Sequence, residues 1–96
     1  YDNIPRALPK DMSVEIHASA WKMPVIFRLL QQWGNVDWKE MYRTFNMGIG
    51  MVIMTSASEA EKIKAHLAAA GEACYEIGRV TKGQHDVTIK GGVFDA

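Results

Sequence analysis

The chain has one cysteine, Cys74, in 96 residues, so it cannot close an internal disulfide and reads as a protein of reducing surroundings. An excess of charge is lacking too. Eleven Lys and Arg offset 11 Asp and Glu, so no net field draws in nucleic acid or an anionic membrane, and neither is expected as a partner. Long apolar runs are also missing: the longest, residues 49–54 with Gly50 inside it, falls far short of the roughly 20 residues that span a bilayer. No basic segment leads into an apolar, small-residue cleavage pattern at the N-terminus. A soluble, cytoplasmic protein is the expectation.

Several chemical signatures are absent as well. His17, His66 and His85 are the three histidines, and no two of them, nor any of them with Cys74, stand at a metal-ligand spacing, so no metal site is expected. His17 on the polar side of a strand and His66 on a helix flank read as surface residues. No Ser or Cys carries the flanking residues of an activated nucleophile. Gly48-Ile49-Gly50 lacks the third glycine of a dinucleotide fingerprint and the Gly-Lys-Ser/Thr of a Walker loop. It is either a weak phosphate cradle or two small residues that let a helix pack closely on a strand.

The pattern that is present alternates strand and helix. Asn3 to Leu8 predicts a helical turn between Pro5 and Pro9. Val14, Ile16 and Ala18 alternate with Ser13, Glu15 and His17, a half-buried strand over 12–18. Pro24 suits the first turn of a helix whose apolar face is Ile26, Leu29, Leu30 and Trp33, with Gly34 as its left-handed cap. Asp37 and Glu40 form a capping box, with Val36 positioned to staple Met41. The apolar run 49–54 predicts a central strand covered on both faces. Ser56 and Glu59 open another helix, with Ala60, Ile63 and Leu67 on one face and Gly71 at its end. Cys74 to Val80, where Tyr75, Ile77 and Arg79 alternate with Cys74, Glu76, Gly78 and Val80, and Val87 to Ile89, joined by Lys82-Gly83-Gln84-His85-Asp86, predict a hairpin. There is no internal repeat and no low-complexity tract beyond Gly91-Gly92. The predicted fold class is α+β, a mixed β-sheet covered by helices.

Two polar stretches could carry a ligand. Tyr42-Arg43-Thr44-Phe45-Asn46 leads directly into the apolar run, an edge where a rigid scaffold can aim side chains. Arg43 offers a planar fork for phosphate or carboxylate, and Asn46 both a donor and an acceptor. The alternative is local: Arg43 pairs with Glu40, and Asn46 closes a turn. Asn3 and Arg6, three apart, would share a face of their helical turn. The methionines Met47, Met51 and Met54 read as irregular core filling.

Asn3-Ile4-Pro5-Arg6 followed by Leu8-Pro9 resembles the Asn-Ile-Pro-Arg-x-Leu-Pro segment of aminoimidazole ribonucleotide (AIR) synthetases. Glu40-Met41-Tyr42-Arg43-Thr44-Phe45-Asn46-Met47-Gly48-Ile49-Gly50-Met51 resembles their most distinctive block, and Phe27 through Gly34-Asn35-Val36 the helix and turn before it. The likeness continues through Ala69-Ala70-Gly71-Glu72 and Ile77-Gly78, in order along nearly the whole chain. The last residues, 91–96, match no motif. Formylglycinamidine ribonucleotide synthetase, selenophosphate synthetase and a hydrogenase-maturation dehydratase share the superfamily fold, but the paired motifs are those of the cyclo-ligase.

This resemblance implies a cyclo-ligase, normally a homodimer of two-domain subunits, that closes formylglycinamidine ribonucleotide to the imidazole with Mg-ATP, giving ADP and phosphate. In that chemistry the formyl oxygen is activated by phosphorylation and an amidine nitrogen attacks the carbon. It further implies that residues 1–96 are one partial domain, part of the C-terminal domain, with the N-terminal ATP-binding domain elsewhere. A Tyr at position 1 running straight into Asp2-Asn3-Ile4-Pro5 fits a piece of a longer protein. ATP and Mg²⁺ are expected in the full enzyme and not on this piece alone, which is expected to be inactive. By position, Asn3 and Arg6 would shape the substrate-phosphate end of the cleft, and Arg43, Thr44, Asn46, Gly48 and Gly50 would line or support it. No residue is assigned as general base. A noncatalytic small-molecule-binding or regulatory α+β module, or an assembly domain, is the alternative.

Overall fold

A computed structural model describes residues 1–91. The Gly91-Gly92 pair therefore straddles the limit, and Gly92 lies outside the described residues. Two short 3-10 turns, Ile4–Ala7 and Ala18–Ala20, flank strand β1 (Met12–His17). Helices α1 (Val25–Gly34), α2 (Trp38–Thr44) and α3 (Ala57–Ala69) follow, then strands β2 (Gly78–Lys82) and β3 (Val87–Lys90). The three strands make one mixed sheet in the order β2-β1-β3, so the fold is α+β.

The predicted hairpin does not form. β1 lies between β2 and β3, antiparallel to the first, with Val14 opposite Val80, and parallel to the second, with Val14 opposite Val87 and Ile16 opposite Ile89. The second strand lies where expected, but the first is shifted to Gly78–Lys82, with 74–77 outside it and Lys82 in the strand rather than the turn. Local pattern also cannot say which third strand they prefer as a neighbour. The connection arches over the entry to β1. The Gly83 N–H donates to Asp11 O (3.1 Å), the Val14 N–H to Asp86 O (3.1 Å), and the buried Ser13 hydroxyl to the Asp86 carboxylate.

Alternation gives the sheet two unlike faces. Val14, Ile16, Val87 and Ile89 share one; Ser13, Glu15, His17, Thr88 and Lys90 share the other. On the polar face Glu15 accepts from Lys90 Nζ (2.6 Å) and Arg79 Nε (3.3 Å), which holds its carboxyl below the usual glutamate range. His17 and His66 are exposed, the surface positions their patterns predict. On the apolar side α1 and α2, with the turns that flank them, supply a small core to which α3 adds no residue. Ala18, Met41, Tyr42 and Met47 are its buried centre, and Phe27, Leu30, Val36 and Ile89 pack against it.

Helix ends follow the sequence with local corrections. α3 closes as expected, the Glu72 N–H reaching Leu67 O and the Gly71 N–H reaching Ala68 O, the paired bonds of a Schellman motif. At the end of α1 the left-handed residue is Asn35 (φ 50°), not Gly34; asparagine tolerates that region better than most residues. α2 and α3 start after Asp37 and Ser56 as predicted, but neither side chain bonds its helix N-terminus. Instead Glu40 turns to Arg43, and the Ser56 hydroxyl lies 3.2 Å from that of Ser58. The inward residues of α1 are Phe27 and Leu30; Ile26 and Trp33 are exposed, Trp33 at 75%.

The larger correction concerns 49–54. No strand forms there, and Met51 is 82% and Ile53 51% exposed. An apolar run without alternation records only that its residues avoid water in some context, which a partner strand, a helix or another surface could each satisfy. Of the three methionines read as core, Met47 is buried, Met54 half-buried and Met51 on the surface.

Candidate functional site

The chain leaves α2 at Thr44 and turns sharply. Met47 (φ 55°) and Gly48 (φ 103°) are both left-handed. The Asn46 side-chain oxygen accepts the Gly48 N–H at 2.8 Å, an Asx-type turn. Gly48 is required by shape as well as by φ, because a Cβ there would lie 2.5 Å from Pro24 Cδ. Its role is thus to let the turn pack on Pro24; the reading of two small residues under a helix packed on a strand does not hold, because no strand forms at 49–54. Gly50 is different: it is exposed, with nothing within 4 Å of where a Cβ would be.

Beside this turn lies a cavity of about 150 Å³. The apolar sheet face contributes Ile16, Val87 and Ile89 to its lining, and its polar wall comes from Asn3, Arg43, Thr44 and Asn46. Asn3 and the Arg43, Thr44 and Asn46 group, 40 residues and more apart in sequence, therefore meet at one place. Arg6 is exposed in the Ile4–Ala7 turn and is not among the lining residues; neither are Gly48 and Gly50, although Ile49 between them is.

Arg43 is held from two sides. Its guanidinium pairs with Glu40, and its carbon lies 5.8 Å from the centre of the Tyr1 ring, as does Lys39 Nζ. The local alternatives open for Arg43 and Asn46 are thus both present, and both residues still border the cavity. Burial pushes the Tyr1 and Tyr42 phenols up, Arg43 partly opposing this at Tyr1, so both stay protonated at neutral pH.

Sequence reasoning missed Trp21 as a cavity residue, and named Tyr42 only as the start of the polar stretch. The indole N–H of Trp21 donates to Met47 O at 3.0 Å. A signal was available for Trp21: a tryptophan beside an apolar cluster needs a partner for its N–H.

The lining does not suit Mg-ATP. Among the described residues no three His, Cys, Asp or Glu side chains come together to hold a metal, and Asp2 is the one carboxylate at the cavity. No step through a metal nucleotide is derived from these residues.

The model of the AIR synthase related protein C-terminal domain family matches residues 1–90. This chain belongs to that family. It is 43% identical over 83 residues to the phosphoribosylformylglycinamidine cyclo-ligase of Neisseria gonorrhoeae, covering 86% of this chain and 24% of the relative. The cyclo-ligase of Methylobacillus flagellatus is 47% identical over 79 residues, 82% of this chain and 23% of the relative. That of a Thermoanaerobacter species is 43% identical over 88 residues, 92% and 26%. The chain spans about a quarter of the length of the curated relatives it matches. No helix among the described residues is long and apolar enough to cross a membrane.

Proposed function

We propose that this chain forms the substrate-side wall of a phosphoribosylformylglycinamidine cyclo-ligase, the cytoplasmic purine-biosynthesis enzyme that closes formylglycinamidine ribonucleotide to aminoimidazole ribonucleotide as ATP becomes ADP and phosphate. The observation that carries the reading is the meeting of Asn3 with Arg43, Thr44 and Asn46 around one cavity with an apolar floor. Guanidinium and amide N–H groups suit the phosphate and carbonyl oxygens of such a substrate, and an apolar floor suits a ring. A space of about 150 Å³ is smaller than the roughly 300–1,000 Å³ of pockets that enclose a drug-sized ligand. It fits a share of a cleft completed by the rest of the enzyme.

On this reading residues 1–96 are a partial domain. ATP and Mg²⁺ are handled by an N-terminal domain of the same enzyme, two such enzymes pair as a homodimer, and the piece alone is inactive. Arg6 remains the candidate for the phosphate end, acting from outside the present cavity, and Gly48 and Gly50 shape the turn and its exit. The test is turnover by the complete polypeptide that carries this chain. ATP-dependent formation of the imidazole product is expected, with a raised substrate KM for both Arg6→Ala and Arg43→Ala. Turnover by the purified 96-residue chain, or unchanged kinetics in both variants, would overturn the assignment.

A further inference from the structure

We propose that Trp21 is a positioning residue for substrate binding, its indole N–H clamping the turn that carries Asn46. The inference rests on the reading that Asn46 touches substrate. Non-glycine residues are uncommon at positive φ, yet Met47 (φ 55°) is left-handed immediately before a left-handed Gly48 (φ 103°). Backbone in such regions persists where its surroundings over-determine it, and it clusters at functional sites.

Besides the backbone bond from the Ile49 N–H to Asn46 O (3.0 Å), three contacts hold this turn. The Met47 side chain is locked in the core at 1% exposure, the Asn46 oxygen accepts the Gly48 N–H, and Trp21 Nε1 donates to Met47 O at 3.0 Å. The last comes from 26 residues away, so it fixes the turn against the body of the protein, whereas the Asx bond is internal to it. Trp21 also lines the cavity, and its indole nitrogen lies 3.7 Å from where a Gly48 Cβ would be. Because the Asn46 oxygen is engaged by Gly48, its NH₂ group is the part left to donate to a ligand. Where that group points depends on the turn, and the turn depends on Trp21.

The test is a double-mutant cycle in the complete polypeptide, with formylglycinamidine ribonucleotide and Mg-ATP. Trp21→Phe keeps an aromatic ring and removes the N–H. It is expected to raise substrate KM about fivefold, the factor carried by one ordinary hydrogen bond, with kcat nearly unchanged. The double variant with Asn46→Ala should be no worse than Asn46→Ala alone, since one residue acts through the other. Additive losses, or a fall in kcat at constant KM, overturn the proposal. If Asn46→Ala is defective and Trp21→Phe is not, the clamp fails while the substrate contact stands; if Asn46→Ala is silent, both fail. Should Trp21→Phe not fold, the unaltered protein decides by NMR: the Trp21 indole N–H should exchange with solvent more slowly than that of exposed Trp33, and equal rates overturn the clamp.

Discussion

Arg43 and Glu40 stand three residues apart on α2 and form an ion pair, and of the two only Arg43 lines the cavity. Both are substantially exposed, 41% and 51%, so the pair adds little to stability; its consequence is orientation. Glu40→Gln should change unfolding free energy by less than about 0.5 kcal/mol. In the complete polypeptide it should nonetheless raise substrate KM, by less than Arg43→Ala does. Arg43→Lys should behave more like Ala than like Arg, because an ammonium lacks the planar fork that reaches Glu40 and an oxyanion together. Steady-state kinetics check this, and full activity of Arg43→Lys would contradict it.

The two glycines of the Gly-Ile-Gly stretch should separate sharply. Gly48→Ala places a methyl 2.5 Å from the Pro24 ring at φ 103°, and a loss of about 1–3 kcal/mol is expected. Gly50→Ala meets nothing within 4 Å and should fall within about 0.5 kcal/mol of the parent. Denaturant midpoints at constant slope measure both, and equal midpoints would refute the distinction.

Much of this structure was legible in the sequence, for identifiable reasons. Period-two alternation found β1, because Val14 and Ile16 face the core while Glu15 and His17 do not. Gly71 marked the end of α3, because the Schellman bonds favour glycine at that place. The same local signals could not place β1 between β2 and β3, since strand order is decided by contacts 62–73 residues apart. Nor could they place 49–54, whose composition resembles that of a core strand. At the site, the residue types of Asn3, Arg43 and Asn46 identified the candidates. Their meeting at one cavity, and the absence of Arg6 from it, required the fold.

Two carboxyls, Glu15 on β1 and Asp86 in the connection between β2 and β3, predict a specific response to acid. Lys90 and Arg79 lower the pKa of Glu15, and the Ser13 hydroxyl lowers that of Asp86. A carboxyl whose folded pKa lies below its unfolded value adds stability at pH above the unfolded value and loses it as pH falls through the folded one. The loss should therefore fall below about pH 4, where free carboxyls titrate, and stability from these groups should be flat between pH 6 and 8. Glu15→Gln and Asp86→Asn should each be less stable than the parent at neutral pH, the gap closing in acid. Chemical unfolding at a series of pH values measures the gap, and a gap that widened in acid would reverse the assignment.

The exposed run at 49–54 provides the most direct check on where the sequence misled. Had it been a central strand, polar replacement of Met51 or Ile53 would leave a polar group buried in the core and cost several kcal/mol. With Met51 at 82% and Ile53 at 51% exposure, Met51→Ser should cost less than about 0.5 kcal/mol. Ile53→Ser should cost somewhat more, in proportion to its greater burial. Both should make the 96-residue chain more soluble, because they remove apolar surface from contact with water. In the complete polypeptide the same two changes become informative about partners. If the rest of the enzyme covers this run, they should destabilise the whole protein more than the isolated chain. Thermal unfolding of matched pairs reads the difference, and equal shifts in both would show that nothing packs there.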